Sequence, residues 1–161
     1  MDDRMDDPKK EVSAEELGKA LIEGGSGELE QFFSDYETML QTWPKPFAHF
    51  MRECLAKNAL RQQEVFLAAD IPEKYGYKLL SEEKHTRKRD VILRLCYGAR
   101  LTLEEARIAL TLARFPDLYP RLRRDAILIV AFHERKRVDA VNQMLAQYGC
   151  EGLESCGKEK E

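Results

Sequence analysis

The residues with the clearest chemical potential are the cations of a short loop that follows position 83. Basic side chains crowd this loop, at Lys84, His85, Arg87, Lys88 and Arg89. Ammonium and guanidinium groups placed this closely together hold anions, above all phosphate. The surrounding residues 72–100 contain 8 Lys/Arg and 4 Asp/Glu, a local balance of +4. The loop therefore predicts a phosphate-binding surface.

Charge is segregated along the whole chain of 161 residues, whose formal net charge is −3. Residues 1–46 hold 5 Lys/Arg and 12 Asp/Glu, residues 47–150 hold 19 and 13, and residues 151–161 hold 2 and 4. The three balances are −7, +6 and −2. This segregation indicates that the middle binds an anion, while the acidic ends stay in solvent or modulate that binding.

No residue pattern indicates catalysis or metal binding. The run GGSG does not follow an apolar strand, as a phosphate-binding loop would, and no nucleophile motif is present. The four cysteines are scattered, and His49, His85 and His133 lie too far apart in sequence for a local metal motif. We therefore predict a protein that is not an enzyme and carries no cofactor and no metal.

The N-terminal part of the chain shows short helical patterns after a charged start. Residues 1–12 are low in apolar content, which predicts a disordered acidic arm. Residues 13–46 are predicted to be a helical segment. It begins at a capping box of Ser13 and Glu16 and continues as an amphipathic helix over 28–43, which Pro44 ends. The aromatic stripe of that helix fits either core packing or a face that binds a partner.

Residues 47–113 form a series of short amphipathic helices. The first ends near Asn58, the second covers QQEVFLAAD and the third covers EKYGYKLLSEE, and only residues 70–72 connect the last two. This spacing is typical of a helix-turn-helix. Two more helices follow, and the second of them begins at a capping box of Thr102 and Glu105. Because no segment keeps strand periodicity, the chain is predicted to be all-α.

An internal repeat relates residues 89–114 to residues 124–149 without a gap. Arg89-Asp90 aligns with Arg124-Asp125, and Tyr97 aligns with Phe132. Each copy has the pattern of a buried helix, a turn and an amphipathic helix. We therefore expect residues 114–150 to form a C-terminal helical hairpin packed on the preceding domain, because neither hairpin buries enough area alone. Residues 151–161 are predicted to be a disordered tail.

Residues 47–113 resemble the lambda-repressor-like (XRE-type) helix-turn-helix domains of bacterial and phage regulators. The resemblance rests on the Gln-Gln-Glu start of the second helix, on Ile71 in the turn, on Leu79 in the third helix, on the basic loop and on the VILRL…LTLEEA tail. Residues 47–150 as a whole are also similar to a clostridial-type group of such proteins. The resemblance implies a repressor-like domain of five helices, extended here by the C-terminal hairpin and the N-terminal segment.

In that family the third helix, here about residues 73–81, lies in the major groove as the recognition helix, and the second helix crosses the DNA backbone. The resemblance implies base-edge candidates on the exposed face of the third helix, namely Glu73, Lys74, Tyr77, Lys78 and Ser81. It implies phosphate candidates at the start of the second helix and in the basic loop, namely Gln62, Gln63, Lys84, His85, Arg87, Lys88 and Arg89.

Four residues depart from the family pattern. Phe66 stands where a small residue usually packs, Asp70 where the turn usually has glycine, and Gly76 where a branched apolar residue is usual. A large residue on one helix matched by glycine on the other would be a compensated exchange. Glu73 adds an acid at the end that meets DNA, where it either repels phosphate or accepts a hydrogen bond from a cytosine amino group.

Two functions remain open from the sequence. The first is a cytoplasmic, sequence-specific regulator that binds double-stranded DNA as a homodimer, because half-sites come in pairs. The second is a protein-interaction adaptor that kept the helix-turn-helix scaffold and lost its grip on DNA. A second copy or a protein partner would bind through residues 28–43 or 121–148. No apolar run is long enough to span a membrane, and no secretory signal pattern is present.

Overall fold

The computed structural model of the chain describes residues 12–37 and 46–156. Over these residues it contains nine α-helices and no strand, so the all-α prediction is confirmed for them. The described residues fall into two compact units, one on each side of the boundary between Trp43 and Pro44. None of the described helices is long and apolar enough to cross a membrane.

Over residues 14–35 of the N-terminal unit, the structure describes two short helices joined by a 3-10 turn. These are α1 (Ala14–Gly24), the turn (Ser26–Glu28) and α2 (Leu29–Asp35). The hydroxyl of Ser13 accepts a hydrogen bond from the Glu16 amide (3.1 Å), and the Glu16 carboxylate accepts one from the Ser13 amide (3.0 Å). The predicted capping box is therefore confirmed.

The aromatic stripe of the N-terminal unit centres on Phe32, which is the buried ring of α2. Its ring centroid lies 4.8 Å from that of Tyr36 and 6.1 Å from that of Phe33. Phe33 itself is exposed. We predicted one helix over residues 28–43; α2 covers Leu29–Asp35 of that range, and Glu37 is again helical. Residues 38–45, with the rest of the stripe, and residues 1–11 of the predicted acidic arm lie outside the described residues.

The described part of the C-terminal unit contains seven helices. Three pairs of consecutive helices, which we call hairpins, are each joined by a short turn. The helix bounds are α3 (Phe47–Lys57), α4 (Gln62–Ala69), α5 (Glu73–Leu79), α6 (Arg89–Gly98), α7 (Leu103–Leu112), α8 (Arg123–His133) and α9 (Val138–Gln147). The hairpins are α3 with α4, α6 with α7, and α8 with α9. The predicted capping box of Thr102 and Glu105 is confirmed at the start of α7.

All three hairpins use the same turn. Each contains one residue in the left-handed conformation, at Ala59 (φ 56°), Arg100 (φ 61°) and Arg135 (φ 59°). In each, the next residue donates its amide to the carbonyl of the residue five positions earlier, at distances of 2.9 to 3.0 Å. This pattern satisfies helix-end carbonyls that would otherwise lack a partner. The same pattern also ends α4, α7 and α9, at Asp70, Arg114 and Gly149.

Helix α6 lies at the centre of this unit, because α4, α7 and α9 all pack against it. Every residue from Asp90 to Gly98 is buried. The closest approach is at Gly98, where a Cβ atom would lie 2.8 Å from the carbonyl oxygen of Val65 and 3.0 Å from the Cβ of Ala69. Glycine at this position allows α4 and α6 to cross at short distance.

We expect Gly98→Ala to lower the free energy of unfolding by about 1–3 kcal/mol, the usual cost of overpacking a core. The helix propensity of alanine, about 1 kcal/mol better than that of glycine, cannot offset this cost, because the atom it meets is backbone and cannot rotate away. Urea denaturation followed by circular dichroism measures the difference. A variant as stable as the parent would contradict the close crossing of α4 and α6.

The two repeat copies pack as a symmetric pair, in which equivalent residues contact each other across the copies. The guanidinium of Arg89 binds both carboxylate oxygens of Asp125 at 3.0 Å, and the guanidinium of Arg124 binds those of Asp90 at 3.1 and 2.8 Å. Reciprocal contacts of this kind define a two-fold relation. We call these two ion pairs the reciprocal clasp.

The rings of Tyr97 and Phe132, which the repeat also makes equivalent, stack at the centre of this symmetric pair. Their centroids are 3.9 Å apart and their planes differ by 9°. The Tyr97 hydroxyl donates to the carbonyl of Leu128 at 2.9 Å, so the buried polar group is satisfied. Burial raises the pKa of Tyr97 well above its usual value, because the phenolate would be poorly solvated there. Tyr97 is therefore a neutral donor.

The repeat continues beyond the helices into the extended segment after each hairpin. Arg89 donates to the carbonyls of Pro116 and Asp117, and Arg124 donates to those of Glu151 and Gly152 at the equivalent positions. Likewise, the Tyr119 amide donates to Asp125 and the Glu154 amide donates to Asp90. Each arginine of the clasp therefore fixes an extended segment as well as its carboxylate.

The structure differs from the predicted disordered tail over residues 151–156. Leu153 and Cys156 are buried, and Arg94 donates to the carbonyls of Leu153 and Glu154 at 2.9 Å. The polar composition of this segment suggested disorder, but its polar groups are backbone carbonyls that buried arginines satisfy. Residues 157–161 of the predicted tail lie outside the described residues.

Candidate nucleic-acid interface

Helices α4 and α5 are two short elements joined by a tight connection. The amide of Arg61 donates to the carboxylate of Glu64 (2.8 Å) at the start of α4. At its end, Asp70 takes the left-handed conformation (φ 58°, ψ 52°) that commonly ends helices. Ile71 is buried in the connection, and Pro72 precedes α5. These contacts fix the path of the chain from α4 into α5.

The inner side of α5 fits α4 because a glycine meets a phenylalanine. A Cβ atom on Gly76 would lie 2.5 Å from Cδ1 of Phe66, which is fully buried. The close packing predicted between these two residues is therefore present. Burial of Tyr75 and Leu79 on the same side leaves the opposite side of α5 to solvent.

The outer side of α5 carries four of the five predicted base-edge residues. Glu73, Lys74 and Tyr77 are exposed, and Lys78 is half-buried. The Tyr77 hydroxyl donates to the Glu73 carboxylate at 3.3 Å, and its ring meets that of Phe66 edge to face with centroids 5.0 Å apart. Partial desolvation, together with the charge and hydrogen bond of Glu73, raises the pKa of Tyr77, so the phenol remains a neutral donor.

Ser81, the fifth predicted base-edge residue, lies beyond the end of the helix. We predicted the recognition helix to span about 73–81, but α5 ends at Leu79. The Ser81 hydroxyl donates to the carbonyl of Lys78 at 3.2 Å and thereby helps to close the helix end. Ser81 is exposed.

The loop after α5 is held against α3. Glu82 accepts a hydrogen bond from the Ala48 amide (2.8 Å), at the first turn of α3, and Arg52 donates to the carbonyl of Leu80. The Glu82 carboxylate is therefore held by the start of α3, and Nδ1 of His85 lies 4.0 Å from it. The loop has a fixed path, and its remaining side chains point from an anchored backbone.

The predicted phosphate residues of this loop divide into two groups. Lys84 is half-buried and Arg87 is exposed. Lys88 contacts the carbonyl of Ser155, with the ammonium nitrogen 3.4 Å from the oxygen. Arg89 is the one whose prediction must be corrected, because its guanidinium donates four hydrogen bonds, two in the reciprocal clasp and two to the carbonyls after α7. It is a structural residue rather than a phosphate contact.

The start of α4 holds the remaining predicted phosphate residues. Gln62 is half-buried and Gln63 is exposed, in the first turn of the helix. Glu64 already brings a carboxylate to this helix start through its bond from the Arg61 amide. The first turn therefore presents neutral amides next to an acid.

Sequence reasoning missed Arg94, although it is a charged residue in the middle of an apolar helix. It is buried in α6 and donates to the carbonyl of Ala69 at 2.9 Å, next to the α4–α5 connection, as well as to the C-terminal segment. Its position between apolar neighbours was the available signal, because buried arginine needs several acceptors. Arg94 thus fixes the end of α4 from behind.

Among the described residues, no group of three His, Cys, Asp or Glu side chains is placed to hold a metal ion. His49 pairs with Glu53 at 3.1 Å on the surface of α3. The thiols of Cys54, Cys96 and Cys156 are buried and free of disulfides. The exposed side chains of α5 can donate hydrogen bonds, and its lysines can attract anions.

Comparison of the chain with protein-family models, with curated proteins and with solved structures gives no match.

Proposed function

We propose that the chain is a DNA-binding transcriptional regulator of the lambda-repressor-like helix-turn-helix type, with α5 in the major groove. The observation that carries this proposal is the outer side of α5, where Lys74, Tyr77 and Lys78 form one polar strip on a helix whose inner side is buried. Side chains of these types reach guanine edges, phosphates and thymine methyl groups.

The surroundings of α5 support this reading through their charge and their rigidity. Lys84 and Arg87 lie in the anchored loop that follows, where they would contact phosphate. The acids nearby are partly neutralised by local donors, since Glu73 accepts from Tyr77 and Glu82 from the Ala48 amide. Binding to DNA would then use four cations, and no cofactor enters the proposal.

We expect two double variants to affect DNA binding in different ways. Lys84→Gln with Arg87→Gln should weaken binding to all duplexes and flatten the dependence of log K on log salt by up to about 2, because each lost phosphate contact removes about one released counterion. Lys74→Ala with Lys78→Ala should lower the preference for a selected duplex over a scrambled one by about 1–3 kcal/mol for each lost base contact. Fluorescence anisotropy over a salt series measures both.

The matched control is Arg114→Gln with Arg121→Gln, which removes the same charge from two exposed arginines elsewhere in the unit. It should leave the salt slope within error of the parent. If the control variant and the loop variant lose affinity equally, the effect is one of net charge, and the assignment of the interface to α5 and its loop is wrong.

A specific observation favours the second candidate, a protein-interaction adaptor. Val130 on α8 is exposed, whereas its repeat equivalent on α6, Leu95, is buried. Leu122 and Tyr148 are also exposed on this hairpin. A second copy or a partner protein would cover these side chains, and sedimentation velocity of the parent and of Val130→Glu distinguishes a dimer from a monomer. The same face would serve a dimeric DNA-binding protein.

A further inference from the structure

A cleft of about 430 Å³ opens where the hairpin turns of the C-terminal unit meet. Its volume falls within the range of small-ligand clefts, roughly 300–1,000 Å³. The repeat-equivalent pairs Tyr97 with Phe132 and Arg100 with Arg135 line it, so the cleft lies over the centre of the symmetric pair. Helix α4 contributes the remaining wall, and no residue of α5 lines it.

The cleft has a basic rim and a partly apolar floor. Arg100, Arg135, Lys136 and Arg137 line it against a single acid, Glu64. The Lys136 ammonium lies 3.9 Å from the Glu134 carboxylate, and the Arg135 guanidinium donates to the carbonyl of Arg100 at 3.4 Å. Four cations gathered around one opening repel one another, and an anion placed between them removes that repulsion.

The apolar part of the lining lies below these cations. Leu60, Leu101 and Val138 contribute aliphatic surface, and the stacked rings of Tyr97 and Phe132 close the floor. A free inorganic anion would use the rim and leave this surface bare. A ligand with an apolar or planar group attached to the anion would use both.

The second repeat copy differs from the first at the start of its second helix, where Arg137 lines the cleft. The capping box of Thr102 and Glu105 in the first copy is replaced by Arg137 and Ala140 at the equivalent positions, and α9 begins without a side-chain cap. Each replacement makes the second copy more positive. The two copies therefore keep the same fold, but the second copy carries more positive charge and brings Arg137 to the cleft.

We propose that this cleft binds a small phosphomonoester with a planar, apolar group. Arginine guanidinium groups of the rim would bind the phosphate in bidentate fashion, which is the geometry they favour. The planar group would lie against the aliphatic and aromatic floor. Because α4 lines the cleft and also packs against α5, the bound ligand contacts the element that positions α5. The proposal does not depend on DNA binding.

Calorimetry of the full chain with adenosine 5′-monophosphate as the probe tests this proposal. We expect binding that weakens with salt, and a loss of at least about tenfold in affinity both for adenosine, which lacks the anion, and for inorganic phosphate, which lacks the planar group. Arg100→Asn and Arg135→Asn should each weaken the binding of the monophosphate by about tenfold. Asparagine tolerates the left-handed conformation that both positions require.

Two controls keep loss of folding apart from loss of binding. Arg114→Asn removes an exposed arginine with the same left-handed conformation (φ 68°) outside the cleft, and it should bind the probe like the parent. Arg137→Thr with Ala140→Glu rebuilds the capping box of the first copy, and it should raise Tm while abolishing binding of the probe.

Absence of any binding of the monophosphate by the parent overturns the proposal. So does binding that Arg100→Asn and Arg135→Asn leave unchanged. A further experiment tests whether the monophosphate and a DNA duplex compete for the chain. If these variants weaken binding to the duplex and the monophosphate does not compete with it, the rim holds backbone phosphate of nucleic acid, and the small-ligand assignment is wrong.

Discussion

Replacing Gly76 by alanine should lower the free energy of unfolding by about 1–3 kcal/mol, although alanine is the better helix former. The added methyl group would lie 2.5 Å from the ring of Phe66, which is enclosed on all sides and has no room to move. If the two residues form a compensated exchange, Phe66→Leu introduced together with Gly76→Ala should restore most of the loss. Urea denaturation of the parent, both single variants and the double variant measures the coupling.

These four proteins form a double-mutant cycle, which measures the coupling free energy between Phe66 and Gly76. This coupling decides whether the two residues are in contact. Phe66→Leu alone leaves a cavity and is expected to cost about 1–3 kcal/mol, so the double variant should be more stable than the sum of the two losses predicts. Additive losses would contradict the contact between the two residues and, with it, the packing that orients α5.

Removing one arm of the reciprocal clasp should have the largest effect on stability. We expect Arg89→Ala to lower the free energy of unfolding by about 3–5 kcal/mol, because it leaves the carboxylate of Asp125 buried and without its charge partner. It also releases the carbonyls of Pro116 and Asp117. Denaturation in urea near neutral pH measures the loss. Arg123→Ala, one residue from the other arm but exposed, is the matched control and should change stability little.

The pH dependence of stability identifies the cause of that loss. Burial by itself raises the pKa of Asp125, but the hydrogen bonds from Arg89 and from the Tyr119 amide, with the charges of Arg89 and Arg124, hold it below its usual value. A carboxylate with a lowered pKa stabilises the fold above the pKa of the unfolded chain, about 3.9, and this contribution is lost as the pH falls through the lower folded value.

The two single variants of the Asp125 pair should therefore differ in acid. The parent should lose stability below about pH 4, and Asp125→Asn should lose less over the same range. In Arg89→Ala, the carboxylate keeps its burial without its main partner, so protonation should relieve part of the penalty and the gap to the parent should narrow as the pH falls. A gap that is independent of pH would show that the lost backbone contacts, rather than the charge, account for the effect.

Local signals in the sequence were sufficient for much of the fold. Both capping boxes, at Ser13 and Thr102, depend on contacts within four residues, and both are present. The contact between Phe66 and Gly76 was expected because the sequence has a large residue on one helix and glycine on the next, and the structure brings the two together. Tyr97 and Phe132 are equivalent in the sequence repeat, and their rings are stacked in the structure. A repeat that packs on itself brings equivalent residues together.

The roles of the arginines could not be predicted as well, because a basic side chain has the same sequence signature on a surface and in a clasp. Arg89 was assigned to phosphate from its neighbours in the loop, whereas its partners lie on α8 and in the segment before it. The repeated Arg-Asp pair contained the necessary information, because in a two-fold arrangement the arginine of each copy binds the aspartate of the other copy. Arg94 and the segment over residues 151–156 depend on contacts far apart in the chain, which no local pattern reports.

Side-chain contacts in the structure also change which residues we assign to the proposed interface at α5. Glu73, which the sequence presented as an obstacle to phosphate, accepts a hydrogen bond from Tyr77. Lys88 contacts a backbone carbonyl of the C-terminal segment, so the loop offers fewer cations than its composition suggests. The proposed DNA contact therefore depends on Lys74, Lys78, Lys84 and Arg87 more than on the loop as a whole.

Selection of bound duplexes from a random DNA pool by the full chain tests the proposed function most directly. At about 50 mM salt, where phosphate contacts are strong, the proposal predicts that successive rounds enrich one short motif. It also predicts that Lys74→Ala with Lys78→Ala loses this enrichment while Arg114→Gln with Arg121→Gln retains it. A pool that remains random with the parent chain, or a motif that the α5 variant enriches equally well, would contradict DNA recognition by α5.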